Sequence, residues 1–277
     1  VTDQGERYDR IATGYARWWA PVLAPAVAEL LDGFEPVGPG PTRMVDIGTG
    51  TGQLALGALA RWPEVSIVGI DASAGMCAVA DAEADRLLPA AERRRFSTTV
   101  AYADALPFDD GEFDAALSSF VFQLVPRRAR ALREVRRVLR PGGRLAYVTW
   151  LEDQRVFLPD VTFDDVLEDL GIEARGGDGR SGDVPSVERA QGELRRAGFA
   201  DVTARGSWVV HRFGVAGLHR LPQGIRRGNT LRRAGACASK AAGLDAPRAA
   251  LRTVIRSDDD ALPDRVRLGP TLALRSR

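Results

Sequence analysis

Between residues 44 and 150 the apolar positions gather into short unbroken runs, each followed by a stretch in which apolar residues recur every three or four positions. Runs of this kind are strands buried on both faces, and the stretches between them are amphipathic helices. The pattern predicts strands at 44–47, 66–70, 98–102, 113–118 and 144–150, with helices at 53–61, 74–87 and 127–139 and a PGG turn before the last strand. Strict alternation implies right-handed crossovers and a mostly parallel sheet with helices on both sides, a Rossmann-like doubly wound α/β fold. Ahead of it, helical spacing over 9–31, bent or divided by Pro21 and Pro25, predicts an N-terminal helical cap within residues 1–40. After it, residues 151–185 break the rhythm with an acidic piece and the run GGDGRSGD, read as an insertion over the site. Ser186 then caps a helix to Ala197 and 202–213 reads as a strand, so that the core domain spans 41–213.

Composition changes this picture mainly at the end of the chain. From Arg205 onward, 14 arginines and Lys240 stand against five acidic residues, and no aromatic residue follows Phe213. Residues 214–277 therefore form an Arg-rich, atypical tail with few large groups to offset the entropy of ordering. Two readings of it stay open, a disordered arm or out-of-frame translation of a GC-rich gene. The tail lacks the aromatics that stack on bases, and the arginines of 127–140 fall on the solvated side of a helix whose apolar stripe is Ala131, Leu132, Val135 and Leu139. No nucleic-acid partner is expected. Two distant cysteines, Cys77 and Cys237, give neither a disulfide framework nor zinc spacing, as suits a reducing cytoplasm. The apolar run 18–31 is too short to span a membrane, and the N-terminus lacks the order of a signal peptide.

The chemistry concentrates at predicted strand ends, where ligands of parallel sheets bind. The first strand runs into MVDIGTGTGQL, with Gly48, Gly50 and Gly52 at alternate positions before a helix. A loop without Cβ atoms lets a ligand lie against backbone amides at a helix N-terminus. The dinucleotide fingerprint would need glycine at 53, where this chain has Gln53. Asp71 closes the second strand nineteen residues after Gly52, with Ala72 beside it, and a carboxylate there can accept from both hydroxyls of a ribose. Asp104 closes the third, placed for an exocyclic amine, with the Ala105 amide for a ring nitrogen. Met76, one helical turn past Asp71, can cover a base with its thioether. Ser118 and Ser119 end the fourth strand, where carbonyls can meet an ammonium group.

The ordered set VDIGTGTG, GIDASAGM, ADALPFDDGEFD and ALREVRRVLRPGGRL followed by AYVTW resembles the class I S-adenosylmethionine-dependent methyltransferases. It is most similar to the type 11 group that includes the ubiquinone and menaquinone C-methyltransferases, and the resemblance covers roughly residues 8–213. It implies a doubly wound sheet with a final antiparallel strand, for which the tail composition offers no obvious segment. It also implies S-adenosylmethionine as cofactor, held by Asp46, Gly48, Gly50, Asp71, Asp104 and Ser118, with tyrosines such as Tyr8 and Tyr15 over it. Methyl transfer from a sulfonium needs no acid and leaves a base optional. Tyr15 and Gln123 are the polar groups expected nearest the methyl. The segment after the fourth strand, Ser118-Ser119-Phe120-Val121, lacks the Pro-Pro-aromatic sequence of amino-methylating DNA enzymes, and no cysteine follows a proline, which leaves a small-molecule acceptor. Two other readings compete, a nicotinamide oxidoreductase on a similar sheet and a non-catalytic S-adenosylmethionine or nucleotide binder.

Overall fold

The computed structural model describes residues 4–36, 42–152, 182–211 and 266–276. In chain order the elements are α1 Gln4–Asp9, α2 Ala12–Trp18, α3 Ala20–Asp32, β1 Thr42–Ile47, α4 Gln53–Arg61, β2 Val65–Asp71, α5 Ala74–Leu87, α6 Ala90–Arg93 and β3 Phe96–Val100. They continue with β4 Phe113–Ser119, a 3₁₀ turn Phe122–Leu124, α7 Arg128–Val138, β5 Leu139–Trp150, α8 Val187–Arg196, β6 Thr203–His211 and β7 Val266–Ser276. The strands form one sheet in the order β3-β2-β1-β4-β5-β7-β6. From β3 through β5 every pairing is parallel, whereas β7 runs antiparallel to both neighbours. Chain order reverses between β1 and β4, and this reversal opens a crevice at the carboxyl ends of the strands.

Alternate side chains of each strand feed two cores, one on each face. Met44, Ile67, Leu117 and Val148 pack with α3, α4 and α5, while Val45, Ile47, Ile70 and Tyr147 pack with α7 and α8. Burial on both faces is why these strands read as unbroken apolar runs.

Three differences from the sequence reading have local causes. The third strand is Phe96–Val100, two residues earlier than expected, because Phe96 is buried and Tyr102 is exposed beyond the strand end. The PGG turn is absorbed into β5, where pairing with β4 shifts register between Phe113 and Ala115 and Gly142 takes φ 78°. Within the segment that offered no element, 266–276 forms β7. Pro270 in β7 faces Trp208 of β6, and pairing with β5 begins only at Thr271. The missing proline N–H is thus tolerated at a point where one side of the strand is unpaired. The rest of the tail and most of the 151–185 insertion lie outside the described residues.

Candidate active site

The β1–α4 loop is built from three left-handed glycines, each with a different neighbour. Gly48 has φ 67°, and a Cβ there would sit 2.3 Å from Val121 Cγ2. Gly52, at φ 82°, is the residue before α4 and lies against Ala80 of α5. Only Gly50, at φ 55°, faces open space, its nearest atom being the Gly48 carbonyl oxygen at 4.0 Å. The loop is therefore a ligand cradle at its centre and a packing device at its two ends.

Beneath the loop Asp46 is 1% exposed. Its Oδ2 accepts from the Thr49 hydroxyl at 2.9 Å, the Ala55 amide lies beside the carboxylate, and Oδ1 makes no well-formed hydrogen bond. Burial pushes the Asp46 carboxyl up to about 7, and the field of Asp71 adds to this. At the tip of β2, Asp71 accepts from the Gly50 amide through Oδ2 and from the Ser73 amide through Oδ1, both at 2.9 Å. Burial raises its carboxyl, and these amides oppose the rise. Ser73 caps α5 through the Met76 amide and donates at 2.5 Å to Asp9, which also accepts from the Gly75 amide. Asp9 thereby pins the N-terminal helices to the β2–α5 junction.

Asp71 and Asp104 share the wall of one cavity of about 340 Å³. Its sides are largely apolar, with Tyr8, Tyr15, Met76, Phe120, Val121 and Leu124 among them. The rings of Tyr8 and Tyr15 meet edge to face at 6.0 Å, and burial raises both phenols above their ordinary value. Phe120, just past β4, is one of two non-glycine described residues with positive φ, at 56°. Bulky residues avoid that region unless their surroundings over-determine it. Here Phe120 donates its amide to the Val148 carbonyl, packs on Trp150 at 4.5 Å between centroids, and receives Gln123 Nε2 on its own carbonyl at 2.6 Å. Gln123 is held in turn by the buried Thr149 hydroxyl at 2.7 Å.

Residues 45–147 match the family model described as "Methyltransferase domain". The demethylmenaquinone methyltransferase of Thermus thermophilus is 35% identical over 186 residues, 65% of this chain and 81% of that protein. The chain belongs to the class I S-adenosylmethionine-dependent methyltransferases. The malonyl-[acyl-carrier protein] O-methyltransferase of Methylococcus capsulatus is 37% identical over 123 residues, 44% of this chain. There the chain spans only 42% of the relative's length, and for the ubiquinone/menaquinone C-methyltransferase of Geobacter sulfurreducens 39%. The fold also matches the [4+2]-cyclase SpnF, with a TM-score of 0.57, 22% identity and coverage of 99% of this chain and 94% of that one.

The cavity collects eight of the residues expected from sequence: Tyr8, Tyr15, Gly48, Gly50, Asp71, Ala72, Met76 and Asp104. Five others lie off its wall. Asp46 sits below the loop, and Gly52 packs against α5. The Ala105 amide closes a turn onto the Tyr102 carbonyl, so it is not held out for a ring nitrogen. Ser118 is buried with its hydroxyl on the Ile47 carbonyl, and its neighbour Ser119 reaches the cavity instead. Gln123 is committed to the Phe120 backbone. Asp9 has no mark in the sequence and Arg127 reads there as one of the solvated arginines of 127–140, because partners from distant segments give both their roles.

The cavity fits the family's cofactor on its own features: the Asp71 carboxylate at the end of β2, the Asp104 carboxylate in the loop four residues past β3 rather than closing it as expected, an open glycine and an apolar wall. Among the described residues no cluster of His, Cys, Asp or Glu could hold a metal ion, and no helix is long and apolar enough to cross a membrane.

Proposed function

We propose that this chain transfers a methyl group from S-adenosylmethionine to a small-molecule acceptor. The observation that carries the reading is the pairing of Asp71 and Asp104 on one cavity. Asp71, oriented by the Gly50 and Ser73 amides, has lone pairs left for a ribose diol, and Asp104 can accept from the amine of an adenine. Gly50 leaves room for the amino-acid end of the ligand. Bound there, S-adenosylmethionine supplies an electrophilic methyl on a sulfonium and departs as a neutral thioether. The chain therefore contributes orientation and exclusion of water more than acid or base. Tyr8 and Tyr15, whose phenols burial keeps protonated, serve as hydrogen-bond donors in this reading, and Phe120, Val121 and Leu124 supply the dry wall. Gln123 positions the wall and does not touch the methyl.

Because one fold can host several chemistries, the ligand is the first thing to test. Calorimetric titration with S-adenosylhomocysteine should give saturable one-to-one binding that Asp71→Ala abolishes, while NADH gives none. Binding of NADH without binding of S-adenosylhomocysteine would refute the reading in favour of an oxidoreductase. Turnover of S-adenosylmethionine with a panel of small acceptors then separates an enzyme from a binding protein.

A further inference from the structure

Helix α7 was expected to present its arginines to solvent, yet several of them reach back to the segment after β3. Arg127, the residue that precedes α7, places Nε 2.7 Å from Asp104 Oδ2. Arg130 donates to the Asp104 carbonyl at 2.9 Å. Glu134 accepts from the Leu106 amide, and Arg137 donates to the Leu106 and Phe108 carbonyls. Asp104 is thus anchored by α7 at both main chain and side chain, and its carboxylate is 11% exposed. Arg127, with its own side chain 66% exposed, lines the same cavity as Asp104.

A carboxylate paired with a guanidinium presents acceptor oxygens only, and the pair leaves lone pairs free for a second donor. A base bearing an exocyclic amine supplies that donor. A base bearing a carbonyl at the same position brings an acceptor against an acceptor and leaves the carbonyl and the lone pairs it faces without a donor in a partly dry site. Without its cation, the carboxylate can rotate toward water, and so turned it tolerates a carbonyl.

We propose that Arg127 is a specificity-determining residue of the cofactor slot, holding Asp104 so that the slot selects an aminopurine over an oxopurine. This rests on the reading of the cavity as a site for S-adenosylmethionine. It assigns Arg127 a task separate from that of Arg130 and Arg137, which fasten the main chain of the segment after β3.

The test compares S-adenosylhomocysteine with S-inosylhomocysteine, which carries a carbonyl in place of the amine, on the full chain by calorimetry. The wild-type protein should prefer the adenosyl compound, and Arg127→Ala should reduce that preference by about tenfold, the scale of one charge-assisted hydrogen bond. The loss should fall on the adenosyl compound, and Arg127→Lys, which keeps the charge but not the planar fork, should restore part of it. Thermal unfolding of each variant checks that the fold is kept. Equal weakening of both ligands would reduce Arg127 to a staple between α7 and the loop, and unchanged binding of both would also overturn the proposal. Asp104→Ala is measured in parallel. If it loses adenosyl binding while Arg127→Ala changes nothing, the slot reading stands and the Arg127 proposal falls; if the wild type binds neither compound, the slot reading itself falls.

Discussion

Replacing Gly48 with alanine probes whether the loop is shaped by protein packing as well as by its ligand. The added Cβ would lie 2.3 Å and 2.7 Å from the two methyls of Val121 and 3.0 Å from its Cβ, at φ 67°. Holding an L-residue in the left-handed region costs about 1–2 kcal/mol. Overpacking against a short branched side chain, which has no flexible end to yield, adds about 1–3 kcal/mol. The two terms place the loss for Gly48→Ala at roughly 2–5 kcal/mol. Urea unfolding of Gly48→Ala, Val121→Ala and the double variant separates them, since removing the Val121 methyls relieves the clash and leaves the backbone strain. The double variant should be more stable than additivity predicts by about 1–3 kcal/mol. Strictly additive losses would show that Val121 does not set the requirement for glycine, and the packing explanation would fail. If the double variant regains stability but not S-adenosylhomocysteine binding, the backbone conformation at Gly48 is what the ligand needs.

Two further outcomes follow from buried polar groups. With its carboxyl raised to about 7, Asp46 gives the folded protein one proton more than the unfolded chain between roughly pH 4 and 7, so its contribution to stability falls as pH rises through that window and is level above it. Asp46→Asn removes this component, and the stability difference from wild type should drift in favour of the variant by a few kcal/mol on the order of the shift, measured as denaturation midpoints from pH 4.5 to 7.5; a pH-independent difference would contradict the burial argument. Gln123→Ala should lower stability by about 1–3 kcal/mol, because it strips an acceptor from the buried Thr149 hydroxyl and releases Phe120 from its left-handed conformation. A change under about half a kcal/mol in chemical denaturation would mean that Val148 and Trp150 hold Phe120 unaided.

The parts of the fold that were legible along the chain are those set by neighbours in sequence. Helices α4 and α5 and the N-cap at Ser186 follow from periodicity and a short polar side chain, and the structure keeps them at the expected positions. Asp71 and the glycine loop were equally plain, since a strand end and a tight turn need particular residue types wherever they occur. The limits appear where a residue acts through a partner far away in the chain. Asp9 meets Ser73 across 64 positions, and nothing near Asp9 in the sequence marks it. Asp104 and Arg127 form an ion pair between a loop and the residue that precedes α7, while the helix periodicity alone assigned Arg127 to solvent. Gln123 was picked for its polarity, but its hydrogen bonds go to Phe120 and Thr149. Strand β7, with a glycine and a proline in its middle, carries no convincing strand signal and exists through its pairing with β5 and β6. Local propensity and hydrophobic period thus determined the alternating α/β core and the place of the cofactor loop, because both depend on interactions within a few residues. The inner wall of the cavity, the clamp on Phe120 and the order of the last strands were decided only by tertiary contacts, whose energies no local pattern records.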